Sequence, residues 1–206
     1  MITIIDYEVG NLFSIKNILK KIGVKSQIIA DPEKAKDAEK LILPGVGNFG
    51  HGMQKLRESG WEEMLNQKVL TEKTPILGIC LGMQLLTQGS EEAPDVKGLG
   101  WFEADTRKFV FNENPKRLKV PHMGWNDVKV ENNSRLFDGF EEERRFYFVH
   151  SYHVVCENSA DVMGTTHYGY DFTCALEKDN ILGAQFHPEK SHRFGMQLLK
   201  NFANNY

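Results

Sequence analysis

The sequence predicts an α/β fold on a central, mixed and mostly parallel sheet flanked by helices, with an antiparallel extension. Two observations carry this. Across the first half of the 206 residues, short apolar runs alternate with segments whose apolar residues recur at helical spacing. Beyond about residue 100, β-like runs follow one another with few helical signals between them. Strands separated by helices require right-handed crossovers, and therefore a parallel sheet covered on both faces.

Residues 2–6 form the first strand. Asn11 can cap a helix whose Ile15, Ile18, Leu19 and Ile22 line one stripe and which stops at Gly23. Residues 25–30 are the second strand, followed by the cap-and-proline pair Asp31-Pro32. Lys40–Leu43 is the third strand, ending at Pro44-Gly45. Helical segments occupy much of 51–70. The fourth strand is 75–79, with a helix over 81–87 leaving it. The segments 105–111, 125–130, 145–155, 162–166 and 172–177 extend the same sheet in mixed or antiparallel fashion. Residues 181–186 are a last apolar strand. Ser191 can cap a final helix with Phe194, Leu198, Leu199 and Phe202 on one face. With no repeat, low-complexity tract or long linker, residues 1–206 read as a single domain.

The composition narrows the function classes. The chain is 41% apolar and 26% charged, with a formal charge of −3. That balance gives no reason to expect a nucleic-acid or membrane partner. No apolar run approaches the ~20 residues of a membrane span. The N-terminal MITIIDYEVGN lacks a basic region ahead of its apolar stretch and reads as a strand, not a signal peptide. Three cysteines, Cys80, Cys156 and Cys174, with no CxxC, point to a reducing compartment and a cytoplasmic location. His150 and His153 fall in an alternating pattern that places them on opposite faces, so packing explains them better than metal ligation. No metal and no cofactor are expected.

Three motifs carry chemistry. Gly78-Ile79-Cys80-Leu81-Gly82-Met83-Gln84 sits where a strand meets a helix. A nucleophile there is exposed on a sharp turn, and flanking glycines let the two elements approach. The helix start lowers a thiol pKa and offers N–H groups to an oxyanion. The plainer reading of Cys80 is a small buried hydrophobe. Phe186-His187-Pro188-Glu189 follows another apolar strand, and strand ends share one edge of a parallel sheet, so His187 can meet Cys80. A Cys–His pair needs a third group to orient the imidazole, and Glu189 is two residues away. Alone, such an HxE could be a turn with a chance acid. Leu43-Pro44-Gly45-Val46-Gly47-Asn48-Phe49-Gly50 follows a third strand, and its glycines permit a backbone N–H to turn toward an oxyanion. It also spells GxGxxG. A dinucleotide site is rejected, because that fingerprint belongs after the first strand with an acid ending the next, and here the next strand ends in Cys80.

Along its whole length the chain resembles the class I, triad-type glutamine amidotransferases, on GICLGMQ and HPE. Within that class, DYEVGN at 6–11, LPGVGNF at 43–49, VPHMGWN at 120–126, FYFVHSY at 146–152 and FHPEKS at 186–191 are similar to the glutaminase subunits of imidazole glycerol phosphate synthases. The resemblance implies a flavodoxin-like class I amidotransferase fold and hydrolysis of L-glutamine to glutamate and ammonia. It implies that Cys80 is the nucleophile, His187 the acid–base and Glu189 its orienting group. Leu81 and the Gly45–Val46–Gly47 strand (45–47) would supply the oxyanion hole. Gln84 and Glu92 would hold the ends of glutamine, with Ser151 and Tyr152 contributing through their backbone. Met123, Trp125, Asn126 and Lys190 would face the partner, a (β/α)8 cyclase subunit that completes a heterodimer in histidine biosynthesis. Gln84 and Glu92 could otherwise be a polar helix face, and Trp125 plain core. The run 192–196 (HRFGM) and the segment 145–153 also resemble paralogues that supply ammonia to enzymes modifying surface-glycan sugars. A peptidase of similar fold and a non-catalytic binding module are the other classes. Gln84, Glu92 and the interface motif speak against the first, and the intact triad against the second.

Overall fold

A computed structural model describes residues 1–111, 118–141 and 143–206. Its first half is built from the parallel strands β1 (Ile2–Ile5), β2 (Ser26–Ile29), β3 (Lys40–Leu43) and β4 (Ile76–Ile79). Between them run α1 (Leu12–Lys21), α2 (Phe49–Glu58) and α3 (Trp61–Leu65), and α4 (Leu81–Leu85) leaves β4. The second half adds β5 (Gly89–Ser90), β6 (Ala104–Lys108), β7 (His122–Asp127), β8 (Lys129–Val130), β9 (Arg145–His150), β10 (Tyr152–Cys156), β11 (Val162–His167), β12 (Asp171–Lys178) and β13 (Ile181–Ala184). The chain closes with α5 (His192–Asn205).

The main sheet runs β2-β1-β3-β4-β13-β12-β10-β6-β5, and β11 joins β12 to β8. β13 lies parallel to β4, and from β12 onward the central pairing turns antiparallel. The expected mixed sheet with an antiparallel extension is what forms. Alternation along the strands divides the core. Ile2, Ile4, Ile42, Leu77, Ile79, Leu182 and Ala184 face α1 and α5, whereas Ile5, Leu41, Leu43, Ile76 and Ile181 face α2, α3 and α4. A sheet buried on both faces reads as continuous apolar runs.

Packing holds the helices. A ten-residue helix is marginal in water, but α1 buries Ile15, Ile18 and Leu19, each contributing about 1.5–3 kcal/mol. Asn11 accepts from Ser14 N–H as the sequence suggests. Asp31 does the same for Glu33, although only a 3-10 turn, Pro32–Ala35, follows it.

The structure departs from the sequence expectations at several points, among them 125–130, which splits into β7 of a separate ribbon and β8 of the main sheet. The helix expected over 81–87 is only Leu81–Leu85. The run 145–155 is not one strand of the main sheet. It breaks at Ser151: β9 pairs with β7 in a separate antiparallel ribbon, while β10 enters the main sheet beside β6 and β12. That break undoes the alternation assumed for His150 and His153. Both rings pack on Phe109, with centroids 5.2 and 4.7 Å away, so the two histidines share one cluster instead of opposite faces. Among the described residues no group of His, Cys, Asp or Glu is arranged to hold a metal, and no helix is long and apolar enough to cross a membrane.

The turn from β4 into α4 is packed so closely on its neighbours that it excludes side chains. A Cβ on Gly82 would overlap the Leu43 carbonyl oxygen, and one on Gly78 would lie 2.7 Å from the Gly82 oxygen. We expect Gly82→Ala to cost about 3 kcal/mol or more through forced backbone displacement. Denaturant unfolding checks this, and a loss within about 0.5 kcal/mol, ordinary for a harmless substitution, would contradict it.

Candidate active site

β3, β4 and β13 are parallel neighbours, with Leu43 opposite Gly78 and Gly78 opposite Gly183. The segments that follow them therefore leave the same sheet edge. They are 44–47, Cys80 and 185–189, the three motifs singled out in the sequence.

Cys80 stands on the turn with φ +54° and ψ −109°. That left-handed backbone costs a non-glycine residue of order 1–3 kcal/mol and persists only where its surroundings enforce it. Here they do: Cys80 N–H donates to the Ala184 carbonyl at 2.7 Å, and the glycine packing fixes the exit into α4. Leu81 opens that helix, so its N–H has no intrahelical acceptor. Gly45 lies directly against it. A Cβ there would be 2.8 Å from Leu81 Cβ and 2.9 Å from Gly82 N. Gly47 holds φ +105°, a value only glycine adopts freely, and Val46 is exposed. Tyr7, which the sequence reading did not single out, fixes the start of this segment by donating its hydroxyl to the Pro44 carbonyl at 2.6 Å. It belongs to the DYEVGN run at 6–11, but an aromatic just past a first strand looks like ordinary core, and the run by itself gives it no role.

His187 and Glu189 meet side by side. His187 Nδ1 lies 2.7 Å from Glu189 Oε1, with both side chains buried. A carboxylate accepts, so Nδ1 carries the proton and Nε2 is left for the nucleophile's side. Nε2 is buried and makes no hydrogen bond of ordinary geometry among the described residues, yet Cys80 is near enough to act on it. Burial alone would suppress the charge on His187. The sulfur of Cys80 and the carboxylate of Glu189 together outweigh it and carry the imidazole pKa up to about 9.

Ser191 was expected to cap α5 but does not. Its hydroxyl donates to the His187 carbonyl at 2.6 Å and accepts from Tyr147 N–H at 3.0 Å. His187 N–H in turn donates to the Tyr147 carbonyl at 2.9 Å. The hydroxyl is diverted from the helix to stitch the His187 loop to β9.

The remaining expected residues fall into two places. Gln84 is buried one turn beyond Cys80, and its amide nitrogen donates to the Tyr152 carbonyl at 3.1 Å and to Gln185 Oε1 at 3.0 Å. Glu92 accepts from Phe49 N–H at 2.7 Å at the start of α2. Burial raises the Tyr152 hydroxyl pKa, and the nearby Glu92 and Glu91 carboxylates add to the rise. Ser151 and Tyr152 lie at the break between β9 and β10. Gln185 is a second residue absent from the sequence expectations. It is wholly buried, and its amide reaches Cys80 Sγ at 3.8 Å. The proposed interface residues lie on the ribbon side. Met123 and Trp125 project from β7 and are 62% and 40% exposed. Trp125 stacks on His192 at 5.4 Å, and the exposed Lys190 lies over Tyr147. Asn126, by contrast, turns inward to His122 and His167.

Residues 3–205 match the family described as glutamine amidotransferase class-I. The chain is 55% identical over 202 residues to imidazole glycerol phosphate synthase subunit HisH 2 of Methanococcus maripaludis, covering 98% of each chain. Subunit HisH 1 of the same organism is 46% identical over 204 residues, again with 98% of each chain covered. The fold also superimposes on a crystal structure of a glutamine amidotransferase with a TM-score of 0.76, over 98% of this chain and 96% of that one, at 19% identity.

His187 should stay protonated through neutral pH, and Cys80→Ala should lower its pKa by removing the main influence that raises it. Because the folded value of about 9 exceeds the usual value of roughly 6.5, the group's contribution to stability is complete below the lower value. It is lost as pH rises through the higher one. An NMR titration of the imidazole in both proteins tests this; an unchanged midpoint in the variant would overturn it.

Proposed function

This chain belongs to the glutamine amidotransferase class-I family, and on that premise we propose that it is the glutaminase subunit of an imidazole glycerol phosphate synthase. The observation that carries the reading is the convergence of Cys80, the 2.7 Å His187–Glu189 pair and the 45–47 backbone at the ends of three adjacent strands. High identity to a named synthase subunit along nearly the whole length supports it.

In this reading residues 1–206 form one catalytic domain working in the cytoplasm. Cys80 Sγ, with the proton of the pair already on His187, attacks the side-chain carbonyl carbon of L-glutamine. The oxyanion is held by Leu81 N–H and an N–H of the 45–47 segment. His187 returns the proton to the leaving nitrogen, and ammonia departs with a thioester left on Cys80. His187 then takes a proton from water, the hydroxide adds to the thioester, and glutamate and the free thiol are released. Glu189 accepts from His187 Nδ1–H throughout, so that Nε2 is the nitrogen that exchanges the proton. Gln84, Glu92 and the Ser151–Tyr152 backbone position glutamine, and ammonia passes to a (β/α)8 cyclase subunit docked on Met123, Trp125 and Lys190, with Asn126 bracing their strand from its inner side.

A second reading has a specific observation in its favour. Within one organism, the chain is closer to the second HisH copy than to the first, at 55% against 46% identity. A duplicated glutaminase can keep its chemistry and change its acceptor, and the alternative acceptor is an enzyme modifying surface-glycan sugars. The two readings separate by partner. Expressed in a bacterium lacking its own histidine-pathway glutaminase subunit, the chain should restore growth without histidine in a Cys80-dependent way. Failure to do so, together with copurification of a sugar-modifying enzyme, would select the second reading.

Cys80→Ala should abolish glutamine hydrolysis with the fold intact, whereas Cys156→Ala and Cys174→Ala should keep it. Retention of even a tenth of wild-type glutamate release by Cys80→Ala would refute the covalent route. Trp125→Ala should weaken association with the cyclase by about 2 kcal/mol or more, as for a buried aromatic anchor, measured by titration calorimetry.

A further inference from the structure

From the Tyr152 carbonyl to β7 runs a chain of hydrogen bonds that the triad chemistry does not use. Asn126 Nδ2 lies 3.2 Å from His122 Nε2, His122 Nδ1 lies 2.9 Å from His150 Nε2, and His150 Nδ1 lies 2.7 Å from the Tyr152 carbonyl oxygen. The groups at the two ends fix the direction of every link. The Tyr152 oxygen can only accept, so His150 carries its proton on Nδ1. Both imidazoles are neutral: burial depresses His122 to about 4 and His150 to about 3. A neutral imidazole has one donor and one acceptor. His150 Nε2 therefore accepts, His122 Nδ1 donates, and His122 Nε2 accepts from Asn126. The Asn126 amide is independently oriented to do so. Its nitrogen also donates to the His167 carbonyl at 2.9 Å, and its oxygen accepts from Asp127 N–H at 2.9 Å. A flipped amide would oppose oxygen to oxygen and N–H to N–H.

The chain is walled by aromatic rings. His122 is sandwiched by Phe148 and Tyr168 at 4.8 and 4.1 Å, and His150 packs on Phe109 and Phe172. At its inner end the Tyr152 oxygen also accepts from Gln84, which holds Gln185 against Cys80. At its outer end Asn126 lies on β7 between the exposed Trp125 and Asp127.

We propose that Asn126, His122 and His150 form a tautomerically locked relay that positions the Tyr152 backbone for glutamine and ties it to the partner-facing strand β7. These are positioning residues, and the proposal rests on the glutaminase reading for the identity of the ligand. Because each ring passes on a single orientation, breaking one link unpairs the next acceptor. With the His122 link broken, His150 Nε2 has no donor, and nothing then holds the His150 proton on Nδ1 facing the Tyr152 carbonyl.

The test uses the full-length chain. His122→Phe keeps the ring sandwich and removes the donor, while His122→Asn puts an amide N–H at the Nδ1 position. His122→Phe should raise KM for L-glutamine about tenfold, the effect of one buried hydrogen bond lost, with kcat changed less than about twofold. His122→Asn should recover most of the KM. An unchanged KM in His122→Phe, or equal damage to KM and kcat that His122→Asn does not relieve, would overturn the relay. Should His122→Phe fail to fold, long-range 1H–15N correlation on the wild-type chain decides. Nδ1–H on both His122 and His150 supports the relay, and Nε2–H on either refutes it. The NMR result does not depend on glutamine, so wild-type protein that shows the tautomers but releases no glutamate even with its cyclase partner bound would sink the glutaminase reading and leave the relay standing.

Discussion

The close approach of the β4–α4 turn to the end of β3 is the constraint on which the site depends. Glycines at 78 and 82 allow that approach, and the Leu43 carbonyl occupies space that any side chain at 82 would need. The squeeze holds Cys80 in a left-handed conformation that its own sterics disfavour, and it lays Gly45 against Leu81. Loosening the contact would release both at once: the thiol would relax toward the core, and the two backbone segments beside it would part. Strain at the nucleophile and the oxyanion geometry are one packing event.

Electrostatics follow from burial. A charged imidazole in this interior would be costly by itself. Two acidic neighbours, one on each ring nitrogen's side, reverse that cost and keep His187 charged well above the usual range. His122 and His150 lack such neighbours, and desolvation holds them neutral in the same protein. The contrast assigns roles. One histidine is set up to exchange a proton, and two are set up to keep theirs in place.

Much of this was legible in the sequence because it is local. Apolar runs between helical stripes gave the parallel half, and the segments after β3, β4 and β13 had to share an edge once those strands were parallel. The unread parts are long-range. Tyr7 and Gln185 act on residues 37 and 105 positions away, and neither belongs to a spacing pattern. His150 and His153 were misplaced because period-two alternation assumes an unbroken strand, and Ser151 is where the chain changes sheets. Ser191 has the residue type of a helix cap, but Tyr147 and the His187 carbonyl compete for its hydroxyl and win.

That diverted hydroxyl has a mechanical consequence. Ser191, together with the backbone bonds between His187 and Tyr147, mounts the base on the two-stranded ribbon. Cys80 is bolted to the main sheet through Ala184. His187 is thus held twice, by β13 of the main sheet just before it and by the ribbon through Ser191 and Tyr147, whereas Cys80 is held by the main sheet alone.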